Sequence, residues 1–320
     1  MKNRNFKKCL ITGITGSGGS FLTEHILKEN NKIKIFGFYR SKGYKNLLEK
    51  KYKKKIHLYK VDLNNFNLVK KIIKKINPDL IYNFASNADV RLSFEKPREI
   101  INNNFQSTLN IFEAVRLLEL KTLIIHISTS EVYGNVSKKD IPIKENLKFM
   151  PVSPYAVSKA NQDLCAQLYN KIFNLNIIIT RMFTYINPRR NNLFQSAFAL
   201  QIVKMKKKKN NILKHGNLNS IRTSLSLDDA MNAYWLVAKK GRVGEIYNIG
   251  GTKQYLVEEI LNKLIRISGV NVKKKIDKKL LRKKDVTLQL PNIKKFQAHT
   301  GWKQKEDLDS SLKKLLKELR

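Results

Sequence analysis

The segment Ser153-Pro-Tyr-Ala-Val-Ser-Lys-Ala160 places Tyr155 and Lys159 four residues apart. On a helix that spacing sets both side chains on one face, one turn from each other. A phenol ordinarily holds its proton to a pKa of about 10. A neighbouring ammonium favours the phenolate, and so would the positive charge of an oxidised nicotinamide. The pair therefore suits removal of a hydroxyl proton while hydride leaves the same carbon. Taken alone, it also fits an ordinary amphipathic helix with an exposed lysine.

Other segments supply what that chemistry needs. Lys8-Cys-Leu-Ile-Thr12 reads as a short buried strand, followed by Gly13-Ile-Thr-Gly16-Ser-Gly-Gly19 and an amphipathic helix over Ser20 to Glu29. Strand, glycine turn and helix together form the setting of a dinucleotide fingerprint. Gly13, Gly16 and Gly19 permit a tight turn and let backbone approach a pyrophosphate at a helix N-terminus. The second strand, Lys32 to Tyr39, ends in Arg40-Ser41-Lys42 rather than in an acid. That suits a ribose 2′-phosphate, hence NADP, although Arg40 also fits one more surface cation. Asp62, ending the strand Ile56 to Val61, fits either a hydrogen bond to adenine or a cap for the helix that begins near Asn65. Leu80 to Ala85 is a fourth strand, and small residues at its end would let a cofactor pass over it. A fifth strand, Lys121 to Ser128, carries Thr129 and Glu131 at its end, where parallel sheets bind ligands. Glu131 there is either a working carboxylate or a solvent-facing loop acid. His126 reads as a satisfied core residue, and His57 has no partner in view.

Helices are expected over Asn67 to Ile76 and Ile100 to Leu120, and a sixth strand over Leu175 to Phe183. Strands alternating with helices imply an α/β fold with a doubly wound parallel sheet over residues 1–183. From Thr184 the alternation becomes irregular, marking a smaller C-terminal substrate-binding lobe over 184–320, with short returns to the sheet near 221–229 and 245–250. Amphipathic helices are expected there over Val257 to Ser268 and Asp307 to Leu319, and Lys206 to Lys209 at the end of another. Arg189, Arg190, Arg222 and Arg282 fall in this lobe, where arginines suit a nucleotide diphosphate.

Of the 320 residues, 63 are Lys or Arg and 25 are Asp or Glu, a net charge of +38. The lysines are spread among Asn and Ile and carry no nucleic-acid-binding motif, so they read as solvated faces rather than as a specific nucleic-acid site. No apolar stretch reaches the length of a membrane span. Cys9 and Cys165 show neither metal-ligand spacing nor a disulfide framework, which suits a reducing cytoplasm and no metal.

With these motifs assembled, the chain resembles the extended short-chain dehydrogenase/reductases of the sugar-nucleotide epimerase/dehydratase family, over essentially its whole length. The matching stretches are Leu10-Ile-Thr-Gly-Ile-Thr-Gly16, Ile81-Tyr-Asn83, Ser93-Phe-Glu95, Ser128-Thr-Ser-Glu131, Tyr133-Gly134, Ser153-Pro-Tyr-Ala-Val157, Pro188-Arg-Arg190 and Gly216-Asn-Leu218. The resemblance implies a Rossmann fold and a catalytic set of Thr129, Glu131, Tyr155 and Lys159. It implies a cofactor set of Gly13, Thr15, Gly16, Gly19, Arg40, Asp62, Leu63 and Ala85, joined by Tyr155 and Lys159. Asn187, Arg222 and Arg282 are then expected on the substrate, the two arginines at its diphosphate, with Asp285 near a ribose or the base. The substrate implied is a GDP-sugar, and the leading activity is dehydration of GDP-mannose. Gln201-Ile-Val203, Ala233 to Leu236 and Thr300-Gly-Trp302 resemble relatives that reduce the 4-keto-6-deoxy sugar, which makes that reaction the alternative. A homodimer or homotetramer through the long helices is implied as well.

Overall fold

The computed structural model describes residues 3–206, 211–281 and 286–320. Its first half alternates β1 (Lys8–Thr12), α1 (Ser17–Glu29), β2 (Lys34–Tyr39), α2 (Lys45–Tyr52), β3 (Ile56–Lys60), α3 (Phe66–Ile76), β4 (Leu80–Asn83), α4 (Val90–Glu95), α5 (Pro97–Leu117), β5 (Leu123–Thr129), α6 (Pro154–Phe173) and β6 (Ile177–Met182). The remainder comprises α7 (Phe194–Met205), β7 (Ile212–His215), β8 (Ile221–Thr223), α8 (Leu227–Lys240), β9 (Ile246–Ile249), β10 (Gln254–Leu256), α9 (Val257–Ser268), β11 (Lys273–Ile276), α10 (Lys294–Thr300) and α11 (Leu308–Glu318).

Seven parallel strands form the central sheet in the order β3-β2-β1-β4-β5-β6-β9. The strand order reverses direction between β1 and β4, so a crevice opens at their carboxyl ends. Strands covered on both faces read as continuous apolar runs. Adjacent residues then serve opposite layers. Ile11 and Ile125 pack with Leu22 and Ile26 of α1 and Tyr234 and Val237 of α8. Leu10 and Ile124 pack with Ile73 of α3, Phe112 and Val115 of α5 and Tyr169 of α6. A separate core in the lobe joins Phe198 and Ile202 of α7, Ile260 and Leu264 of α9, and Leu312 and Leu315 of α11.

Several details add to or differ from expectation. First, α1 starts at Ser17, so Gly19 lies in its first turn; a Cβ there would stand 2.6 Å from the Gly13 carbonyl oxygen. Second, the cap of α3 is Asn65, whose side chain accepts from the Leu68 amide at 3.1 Å, while Asp62 accepts from Asn64. Third, the two expected returns differ, the first bringing Leu225 beside Tyr185 just after β6 and the second adding a strand to the sheet. β9 pairs with β6, whereas β8 pairs antiparallel with β10. Fourth, α10 and Trp302 also come back, placing Phe296 and Trp302 in the core beneath α8. Gly216 to Ser220 is a loop as read, but Ile221 and Arg222 belong to β8. Among the described residues, no helix is long and apolar enough to cross a membrane.

Candidate active site

A cavity of about 1110 Å³ lies at the carboxyl ends of β1, β2, β4, β5 and β6. Its wall includes Gly13, Thr15, Gly16, Gly19, Arg40, Asp62, Leu63, Ala85, Thr129, Glu131, Tyr155 and Lys159. Residues spread over nearly 150 positions of sequence thus meet on one surface.

The glycine turn forms one end. Gly13 has φ +67, and a Cβ on it would sit 3.1 Å from the Ala85 Cα. Only glycine accepts both constraints without strain. Gly16 precedes α1 in extended conformation, and no side chain caps the helix. The first amides of a helix lack intrahelical acceptors and carry the positive end of its dipole. Small residues and an uncapped helix start form a cradle that fits a pyrophosphate. Thr15 is buried, with its hydroxyl donating to the Ser41 carbonyl at 3.0 Å. The Tyr44 amide donates to the Thr15 carbonyl at 2.9 Å. These bonds tie the segment after β2 to the turn. Arg40 is exposed at the cavity edge and donates to Asn103 Oδ1 at 2.9 Å. Asp62 is exposed beside it, and Leu63 is buried, its carbonyl accepting from Asn110 at 2.7 Å. The Ala85 amide donates to Thr12 Oγ1 at 3.0 Å, holding β4's end against β1. The donors and small residues along this wall fit a nicotinamide dinucleotide.

The other end carries the titratable groups. Ser153 caps α6 by accepting from the Ala156 amide at 3.1 Å, with Pro154 in the first turn. This start places Tyr155 and Lys159 on the buried face, 7% and 4% exposed. Thr129 accepts from the Glu131 amide at 3.3 Å. Glu131 is half-buried in a short 3-10 turn spanning Ser130–Tyr133. Burial pushes the Tyr155 phenol above its ordinary value; the Arg190 guanidinium pulls down, the Glu131 carboxylate pushes up, and a Thr129 hydrogen bond pulls down. Lys159 Nζ donates to Ile127 O and Gln162 Oε1. Burial draws Lys159 itself down to about 7, with Asp163 opposing.

Two of the expected substrate residues, Asn187 and Arg222, lie off the cavity wall. Asn187 is fully buried off the cavity wall, donating to the Tyr185 hydroxyl at 3.3 Å. Arg222 is also buried off the wall, with its guanidinium donating to the Ile221 and Val286 carbonyls. Arg282 and Asp285 lie outside the described residues, as do Lys207 to Lys209. Arg189 and Arg190 diverge. Arg189 pairs with Glu24 of α1 at 2.5 Å and stacks on Phe21, whereas Arg190 lines the cavity and donates to Ala88 O at 2.8 Å. Sequence reading gave no site role to Tyr185 or Gln289, which also line the cavity; Gln289 donates to Ser130 Oγ at 3.0 Å. No local pattern announces either residue. His126 is buried and bonded to Asn83 at 3.4 Å, but its Nε2 has no partner among the described residues, and burial lowers it to about 3, leaving it neutral. His57 stacks on Phe36.

Residues 10–315 match the sequence model of a family described as GDP-mannose 4,6 dehydratase. The chain is 29% identical over 304 residues to the GDP-mannose 4,6-dehydratase of Vibrio cholerae, covering 91% of this chain and 80% of that protein. Among solved structures it is similar to UDP-glucuronic acid 4-epimerase from Bacillus cereus in complex with UDP-glucuronic acid and NAD. The TM-score is 0.85 at 27% identity, covering 98% of this chain and 100% of the other. It shares its fold with RMD from Pseudomonas aeruginosa complexed with NADPH, with TM-score 0.83, 22% identity and 98% of each chain covered.

Proposed function

The chain belongs to the GDP-mannose 4,6-dehydratase family, and on that premise we propose that it converts GDP-mannose to GDP-4-keto-6-deoxymannose. The observation that carries this reading is the convergence of Thr129, Glu131, Tyr155 and Lys159 on the cavity that also holds the glycine turn. A bound nicotinamide supplies the hydride acceptor at the start and the hydride donor at the end. Tyr155 takes the proton of the C4 hydroxyl as that carbon is oxidised, and Thr129 orients the pair of oxygens. The resulting C4 ketone acidifies the hydrogen on C5. Glu131 removes that proton and returns it to the departing C6 hydroxyl, which leaves as water. With a bound nicotinamide giving back its hydride at C6, C5 would take a proton exchanged with solvent that balances the one Tyr155 removed from the C4 hydroxyl, so no reductant would be consumed. Purified protein supplied with GDP-mannose and catalytic NADP, without reductant, is expected to accumulate the 4-keto-6-deoxy product. If it leaves GDP-mannose untouched yet oxidises NADPH when offered the 4-keto-6-deoxy sugar, the reading is wrong and reduction takes its place.

Preference for NADP over NAD rests on Arg40, exposed at the end of β2 and free of any carboxylate partner among the described residues. Arg40→Ala should weaken NADP by about 1.5–3 kcal/mol, the worth of a charged hydrogen bond, and leave NAD nearly unchanged. Titrations of both cofactors into both proteins check this, and equal wild-type affinities would sink it.

The family membership also supports a homodimer or homotetramer built on α5 and α6. Leu164, Leu168 and Ile172 lie along one side of α6 at 55%, 50% and 64% exposure. Spaced by one turn, they form an apolar stripe. Light scattering should give a mass of at least two chains; a monomer at assay concentrations would refute the assembly.

A further inference from the structure

Lys159 is held by neutral oxygens. Its Nζ donates to Ile127 O of β5 and to Gln162 Oε1, each at 2.5 Å. Gln162 lies three residues further along α6, on the same face and fully buried. Its Nε2 donates to the Asn104 carbonyl in α5. The way round of this amide is dictated by its partners. An ammonium can only donate and a carbonyl can only accept, so one orientation alone satisfies both.

Asn104 extends the connection. Its Nδ2 donates to Ser158 Oγ at 2.9 Å and to Asn87 O at 3.1 Å, and its Oδ1 accepts from the Asn87 amide at 2.7 Å. Ser158 in turn donates to the Tyr155 carbonyl at 2.7 Å. One net thus joins the segment after β4, the middle of α5, the face of α6 and the end of β5. We propose that Gln162 is a positioning residue, whose amide, locked by the α5 backbone, holds the Lys159 ammonium against β5. Two of its three hydrogens are thereby engaged, and the third serves the cavity that Lys159 lines.

The charged groups around Lys159 leave this amide much to do. Tyr155 and Asp163 share its helix. Asp163 is bonded twice to Arg181 of β6, at 2.9 Å each, so its charge is largely compensated. His126 of β5 is neutral. Asn104 and Ser107 on α5 carry no charge. Burial opposes the ammonium, and a hydrogen bond to the charged form favours it. An amide keeps that bond at every pH.

The inference rests on Lys159 belonging to the catalytic set, and its test reads Lys159 directly. Protein with lysine isotopically labelled at Nζ is titrated by NMR, with the Lys159 signal assigned by its loss in Lys159→Arg. Gln162→Met removes the acceptor at similar length, and the Lys159 pKa should fall by about one pH unit. Gln162→Glu puts a carboxylate there and should raise it by about as much. A merely structural Gln162 would lower stability in both variants and leave the titration unmoved. A folded variant titrating within about 0.2 unit of wild type overturns the proposal. Should neither variant fold, the wild type decides: a nuclear Overhauser contact between Lys159 Nζ hydrogens and the Gln162 side-chain amide supports it, and its absence overturns it. Failure of the catalytic reading is separate, and would appear as full turnover in Tyr155→Phe.

Discussion

Tyr155→Phe is expected to lower turnover of GDP-mannose by about a hundredfold or more, the usual contribution of a positioned acid–base group. The ring is 7% exposed and anchored by the capped start of α6, so Phe keeps its packing while deleting only the hydroxyl. NADP should still bind, because the glycine turn and Arg40 are untouched. The wild-type pH profile carries a sign. Burial raises the phenol above its ordinary value, and the Arg190 cation and the Thr129 bond offset part of that rise. Near neutrality the group is therefore protonated in the free protein, and kcat/KM should increase with pH as the proton is lost. Steady-state rates with a parallel cofactor titration check both statements, and near-normal turnover would place the base elsewhere.

Glu131→Gln should abolish the elimination about as completely, by a different route. An amide presents a similar shape but cannot take a proton from C5. The oxidation at C4 would use Tyr155 and a bound nicotinamide as hydride acceptor rather than Glu131, so the variant should still bind cofactor and substrate. In heavy water the wild type should install deuterium at C5, and the variant should lose that exchange together with product formation. Loss of kcat with little change in binding is the pattern of an interaction made in the transition state. A variant that eliminates water at the wild-type rate would return Glu131 to the status of a loop acid.

Arg190 shows how the third dimension alters such a site. It stands next in sequence to Arg189, yet one guanidinium faces the cavity beside Tyr155 while the other stacks on Phe21 of α1. Nothing in the pair Arg189-Arg190 distinguishes them. The division arises because Tyr44, 145 positions away, donates to the Arg189 carbonyl, and Glu24 claims its side chain. Arg222 of β8 is expected on the diphosphate, and its guanidinium donates to the Val286 carbonyl, 64 positions away, a contact no local pattern announces.

What was legible in the sequence was chemistry written at short range. The four-residue spacing of Tyr155 and Lys159, the strand–glycine–helix order around Gly13 and the apolar runs of the parallel strands depend on neighbours within a turn or a strand. Those features determined the fold class, and the expected nicotinamide site and proposed acid–base pair rest on them. Tertiary structure decided which residues meet across distance: β9 beside β6, Trp302 beneath α8, Arg190 near Tyr155, and Gln162 between Lys159 and the Asn104 carbonyl. A buried amide on an amphipathic helix looks in sequence like any polar residue of its exposed face. Its burial depends on α5 packing against α6, and its bonds on two groups 58 and 3 positions away. Local spacing specifies the second of these and carries no information about the first.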